Sequence, residues 1–307
     1  MDRTLIDAEP AIVTHDGGVY VFDEGGVTVT VQDSVKPTPT SLVLNAGDTQ
    51  DDAIVKITGK PCGEWENLAK LWPYASFRRG QNIFSTDKPL TVHTTSGRKL
   101  TVASAALTKS PDIDGSPDKP LLGSVEWTGV RLNNTPWSTA GSLYSEAAVA
   151  FVDWSAFDQT QILKVAFAAA WGALAAPWNG IVTMDGWAIS FGLQLKYVMD
   201  AAIGTVQAFY VGETVVAKCR SLNVTMADII AIHEIQGGTA RRGKRIATGN
   251  NLVLTGAGGS PVITLTSAAL RSPGFRFGNE EIRIGEIGFE AQRTFTTGQP
   301  QPLYTLA

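Results

Sequence analysis

Arg78-Arg79-Gly80, followed by Ser104-Ala105-Ala106-Leu107, returns later in the chain as Arg241-Arg242-Gly243 followed by Ser267-Ala268-Ala269-Leu270. Each arginine pair stands 26 positions before its tetrapeptide (104 − 78 and 267 − 241). Ser110-Pro111 matches Ser272-Pro273 in the same frame. Upstream, Gly18-Val-Tyr-Val-Phe-Asp23 reads against Gly180-Ile-Val-Thr-Met-Asp185. Downstream, Gly123-Ser-Val-Glu-Trp127 reads against Gly285-Glu-Ile-Gly-Phe289. The offset stays between 161 and 163 throughout. Two copies of one unit point to a molecule built for symmetry rather than around one catalytic pocket.

The 307 residues suit two domains, and each copy is long enough to bury its own core. We place the first β domain at 1–131, a connecting segment at 132–162, and the second β domain with a C-terminal tail at 163–307. The 31 glycines and 15 prolines are dispersed, as in a turn-rich β protein. Charged residues are only 18% and mean hydropathy is +0.03, which points to surface covered by partner subunits. A net charge of −4 gives no overall basic footprint for binding nucleic acid. The two cysteines, Cys62 and Cys219, are not repeat equivalents, which argues against a disulfide framework or zinc site.

The start of the chain lacks the basic and apolar regions of a signal peptide. The apolar run from Val165 to Ala176 is too short to span a bilayer. It lies opposite the N-terminus in the repeat and reads as the packed first arm of the second copy.

The period-2 pattern of a half-buried strand is clear in both copies. Val27, Val29 and Val31 alternate with threonines, and the repeat frame aligns them with Ile189, Phe191 and Leu193. Thr95-Ser-Gly97 and Gly256-Ala-Gly-Gly-Ser260 read as hairpin turns between apolar runs. Trp65, Leu68, Ala69 and Trp72 are spaced as one helix face, ended by Pro73, and Met226, Ile229, Ile230 and His233 repeat the spacing. Thr225 is placed to cap the second helix, with Asp228 at the reciprocal capping position. The expected fold is mainly β (α+β), with two tandem β-sandwich or half-barrel domains, each flanked by one short helix. Residues 132–162 carry Trp137, Tyr144, Phe151, Trp154 and Phe157, too many aromatics for a free linker. They read as packing across both domains or against a neighbouring subunit.

Chemical motifs fail one by one. His233-Glu234 opens like a zinc helix, but position 237 is glycine. His15 and His93 have no partner in the second copy. The glycine turn at 256–260 lacks the Lys-Ser/Thr of a phosphate loop. Asp112-Ile-Asp114 with Asp118 lacks calcium-loop spacing and reads as an acidic surface loop. Asp51-Asp52 has only Glu213-Thr214 opposite it. The sequence therefore predicts no enzyme, no metal and no cofactor. Arg78, Arg79, Arg241 and Arg242 are the strongest signal outside the core, read either as subunit contacts to acidic groups or as solvated basic turns.

The duplicated strands at 27–31 and 189–193, the helices at 64–72 and 226–233 and the paired closing strands resemble the tail tube (major tail) proteins of long-tailed bacteriophages. That resemblance implies rings whose inner sheets line a DNA channel and stack into a tube. Members with two fused copies form trimers that imitate hexamers. The implied partners are further copies of this chain, other tail proteins at the tube ends, and DNA passing without sequence-specific binding; no membrane is implied. The implied location is the virion tail, assembled in the bacterial cytoplasm. The alternatives are a tandem carbohydrate-binding or adhesin module, which requires exposed aromatics at equivalent sites, and a hydrolase of the phage particle.

Overall fold

A computed structural model describes residues 10–37, 48–84, 88–116, 119–130, 144–148, 164–200, 204–237, 250–271, 275–277, 282–296 and 299–307. Alternating apolar residues and frequent turns make the fold mainly β, and every named strand pairing is antiparallel.

In the first half, β1 (Ala11–His15) turns at Asp16-Gly17 into the long β2 (Gly18–Pro37), which pairs with β3 (Asp48–Cys62). A short helix α1 (Trp65–Leu68) continues as a 3₁₀ turn through Leu71. Then come β4 (Leu90–Thr94), β5 (Arg98–Val102), β6 (Ala105–Lys109), β7 (Ile113–Asp114), β8 (Val125–Val130) and β9 (Tyr144–Ala148). One layer has the order β1-β4-β5-β9 and the other β2-β3-β8-β6, with the β1–β2 turn joining them.

The second half contains β10 (Phe167–Trp171), β11 (Thr183–Asp200), β12 (Gly204–Ser221), helix α2 (Met226–Gly237), β13 (Leu252–Gly256), β14 (Val262–Leu265) and β15 (Ala269–Arg271). It closes with β16 (Phe275–Phe277), β17 (Ile282–Ile284), β18 (Ile287–Glu290), β19 (Phe295–Thr296), β20 (Gln299–Pro300) and β21 (Tyr304–Leu306). Its layers run β10-β13-β14-β21 and β11-β12-β18-β15, strand for strand the order of the first half. The second layer gains β7 of the first half at its outer edge.

Pairing fixes which residues correspond. Trp127 on β8 faces Ile57 on β3, which faces Val29 on β2. Phe289 on β18 faces Ala217 on β12, which faces Ile189 on β11. Val29 therefore corresponds to Ile189 and Val31 to Phe191, one pleat away from the alignment that the sequence frame suggests. The cause is a bulge in each long strand, at Phe22/Val27 and at Thr183/Trp187, together with unequal turns after the first strands. The Ser-Ala-Ala-Leu frame holds, since Leu107 faces Trp127 as Leu270 faces Phe289. The apolar run begins as strand β10, pairing with β13 as β1 pairs with β4. Among the described residues no helix is long and apolar enough to cross a membrane.

Tyr144–Ala148, within the connecting segment, is the edge strand on β5. Tyr144 opposite Val102 takes the place of Tyr304 opposite Leu265. Repeat correspondence thus reaches residue 148.

The helices form where the periodicity indicates, but the buried face of α2 is not the predicted one, since Met226 and Ile230 are exposed and Ile232 joins Ile229 in the core. Leu68 and Leu71 are buried in the first half, and Ile229 and Ile232 at the same spacing in the second. The Thr225 backbone N–H donates to Asp228 Oδ2 (2.8 Å) and the Asp228 N–H to Thr225 Oγ1 (3.3 Å), a reciprocal cap. Trp127 and Phe289, fully buried, anchor the two sandwiches. Tyr20, Phe22 and His15 pack around Trp127, and Trp171, Trp178 and Trp187 around Phe289. One continuous buried cluster runs through both halves.

Candidate assembly surface

The two halves meet through backbone hydrogen bonding rather than loose side-chain contact. β7 adds to the edge of β11, with Ile113 opposite Ile189 and Asp114 opposite Ala188. The Gly115 N–H donates to the Trp187 carbonyl (2.7 Å), and the Phe191 N–H donates to Asp112 Oδ1 (3.0 Å). Asp114 accepts from the Ser116 N–H (3.0 Å) and pairs with Lys119 (3.0 Å). Burial raises its affinity for protons, but the Ser116 hydroxyl and Lys119 outweigh this and hold the carboxyl below its ordinary range. The Asp112–Asp114 stretch is therefore no simple acidic surface loop. It is the strand that joins the halves. Gly186, at φ +86, lies so close to Gly115 that a Cβ would stand 2.3 Å from the Gly115 carbonyl oxygen.

A second splice follows the first arginine pair. Gly80 N–H donates to the Tyr210 carbonyl (2.8 Å), Tyr210 N–H to Gln81 (2.9 Å), and Ile83 N–H to Ala208 (2.9 Å). Residues 80–83 thereby extend β12 by a short antiparallel segment. Arg78 and Arg79 are exposed, and the Arg78 guanidinium donates to Gln299 Oε1. Among the described residues neither makes an ion pair within the chain. Arg241 and Arg242 lie outside the described residues. The guanidinium that bridges the halves is one the sequence reading missed: Arg293 donates to the carbonyls of Phe77 (2.5 Å) and Ala75 (3.2 Å) and to the Tyr210 hydroxyl (3.1 Å). The repeat frame does pair it with Arg131, each arginine standing four residues after its core aromatic, a match the sequence reading did not draw.

Aromatic rings fill the joint. Trp65 packs on Trp72 (5.9 Å between centroids), Trp72 on Phe191 (5.5 Å), and Phe191 on Tyr304 (5.2 Å). Trp65 Nε1–H donates to the Ala307 carbonyl (3.1 Å) and Trp72 Nε1–H to that of Pro111 (3.2 Å). Nearby, the Tyr304 hydroxyl donates to Glu213 Oε1 (3.2 Å), while Glu213 Oε2 is buried without a partner. Burial pushes the Glu213 carboxyl up to about 7, against the opposing pull of Tyr304 and Arg293.

The solvent face of the second-layer sheets has a different character. Along β2 it carries Thr28, Thr30 and Gln32, and along β11 Ala188, Ser190, Gly192 and Gln194. Four cations on this side stand beside carboxylates, Lys56 by Glu126 (3.5 Å), Lys218 by Glu286 (3.0 Å), Arg220 by Asp185 (3.5 Å) and Arg271 by Glu290, while the exposed Lys196 of β11 has no ion pair among the described residues. Such exposed pairs add little to stability, but they cancel the field that a row of free cations would project.

The remaining sequence candidates have structural surroundings. His15 Nε2 lies 3.1 Å from the Ala105 carbonyl oxygen, and burial lowers its proton affinity. His93 Nε2 is buried without a partner. Residues 256–260 form the β13–β14 turn, with the Gly259 N–H on the Gly256 carbonyl (2.9 Å). Among the described residues no group of three or more His, Cys, Asp or Glu side chains is placed to hold a metal ion. The equivalent aromatics Trp127 and Phe289 are core, not a pair of exposed sugar platforms. No protein-family model matches the chain, and no curated protein matches it.

Proposed function

We propose that this chain is the subunit of a bacteriophage tail tube, in which three copies close a ring of six β units and rings stack into a DNA conduit. The observation that carries the reading is the recurrence of one strand order in two halves, each raising a long two-stranded hairpin, β2–β3 and β11–β12. The duplication in sequence supports a common origin for the halves. Six such hairpins placed side by side form the channel wall and remove the open strand edges that otherwise invite aggregation. DNA slides only where fixed positive charge is weak, because phosphate neutralisation by lysine and arginine holds the duplex. The small and polar residues on the solvent face, and the carboxylates beside Lys56, Lys218, Arg220 and Arg271, support that role.

Negative-stain microscopy of the concentrated protein tests the reading. Rings or tubes with six-lobed rims are expected. Discrete single chains or flat sheets at every concentration refute it.

A further inference from the structure

The joint inside the chain has two unused counterparts on its surface. In the joint, β7 covers the edge of β11, and Ile189 and Phe191 beneath it are 0% and 6% exposed. Their equivalents on β2, Val29 and Val31, are 37% and 39% exposed. Among the described residues no strand covers that edge of β2 beyond Tyr20. The helices repeat the contrast with the halves reversed. Trp65 of α1 is 8% exposed, at the joint, whereas the corresponding Met226 of α2 is 40% exposed. Ala69 is packed against the core, and its counterpart Ile230 is 50% exposed. Among the described residues the first half thus has no cover for its sheet edge, and the second half carries an uncovered helix face.

The strand that would supply the cover is also present. β7 bridges to Leu122 through Ile113, and β16 pairs with β17 in the same frame, Phe275 opposite Ile284. β16 is therefore the second half's copy of β7. Among the described residues β16 pairs with β17 alone.

We propose that β16 and α2 of one molecule dock on β2 of a second copy, reproducing between chains the joint that each chain makes within itself. Arg276 then stands opposite Thr28, as Asp114 stands opposite Ala188, and Phe275 opposite Val29, as Ile113 opposite Ile189. Met226 lies over the exposed Ala147 of β9, the counterpart of Ala307 that Trp65 touches. The occupant is a second copy because the complementary parts are the two sides of one interface whose register the chain already displays. The contact is head to tail, so it propagates until rotation closes it. The joint is argued independently of the tail-tube reading, which supplies only the expectation that closure comes at three chains.

Disulfide trapping tests the register. The Gly115–Trp187 hydrogen bond makes Asp114–Ala188 the adjacent non-bonded pair, and such pairs bring Cα atoms to about 4.5 Å, within disulfide range. In a Cys62→Ser background, Thr28→Cys with Arg276→Cys is expected to oxidise to a ladder of one, two and three chains on a non-reducing denaturing gel. Either cysteine alone is expected to give no species above a dimer. Ile230→Lys, on an exposed position that leaves the fold intact by circular dichroism, is expected to raise the concentration for half-assembly at least about tenfold. Oligomers that persist in sedimentation while the double variant fails to cross-link overturn this joint and leave the ring reading standing. A ladder that runs past three chains upholds the joint and overturns the trimeric ring. A chain that stays monomeric at every concentration overturns both.

Discussion

Glu213 is a carboxylate whose ionisation works against the fold, and its replacement should stabilise the protein in a pH-dependent way. One oxygen accepts from the Tyr304 hydroxyl and the other is buried without a partner, so the charged form is under-solvated. Burial moves its proton affinity from 4.5 to about 7. Between those values the folded chain holds a proton that the unfolded chain has released. The stabilising contribution is thus complete below about pH 4.5 and lost as pH rises through about 7. At about 1.4 kcal/mol per tenfold change, the difference is about 3 kcal/mol at most, and partial solvent access reduces it to roughly 1–3 kcal/mol. Glu213→Gln keeps an acceptor for Tyr304 and removes the charge. Urea unfolding at fixed dilution should show the variant more stable than its parent by roughly 1–3 kcal/mol at pH 8, with the gap closing toward pH 4.5. A variant that is less stable at pH 8, or a gap independent of pH, refutes the reasoning.

Other substitutions probe the joint and the cores. Gly186→Ala places a methyl against the Gly115 carbonyl at a positive φ and should destabilise by roughly 2–4 kcal/mol. Gly212→Ala, with open space around it, should shift stability by less than about 0.5 kcal/mol, and equal effects in urea melts would contradict the close approach. Asp112→Ala removes the acceptor for the Phe191 N–H and should cost about 1–3 kcal/mol, while Asp112→Asn should recover most of it; hydrogen exchange at Phe191 reports the bond directly. Trp127→Ala empties the centre of the first sandwich and should cost about 3–5 kcal/mol in the same denaturation assay, a loss below about 1 kcal/mol being incompatible with its full burial.

Much of the fold was legible because its signals are local. Val27–Val31 alternate as a strand must, although Val29 and Val31 are exposed and not half-buried, Thr95-Ser-Gly97 turns between two apolar runs, and Thr225 with Asp228 caps a helix through groups three residues apart. The correspondence between the long strands was misjudged by one pleat because bulges add residues without disturbing the alternation of faces. β9 and β21 escaped notice because strands of five and three residues at a sheet edge carry too short a pattern. The joint was the least legible part. Its strand β7 is two residues long, and its partners on β11 lie some 75 positions later, so nothing in the local sequence ties Asp112 to Phe191. Arg78 and Arg79 read as subunit contacts or solvated turns; within the chain the neighbouring backbone of residues 80–83 makes a strand contact, and the guanidinium that bridges the halves belongs to Arg293.

Trp65, Ala69 and Phe191 line the joint within the chain, where the proposed joint between chains offers Met226, Ile230 and Val31 in the same positions. A ring built this way alternates rigid seams with softer ones. Under load it would yield at three points instead of six, and its fragments would be whole chains. Joining two units by peptide bonds also removes half of the encounters from the assembly reaction, since a tethered partner is present at effectively millimolar concentration. Closure then depends on the third power of protein concentration and not the sixth, so rings of this design would form at dilutions where six separate units remain apart.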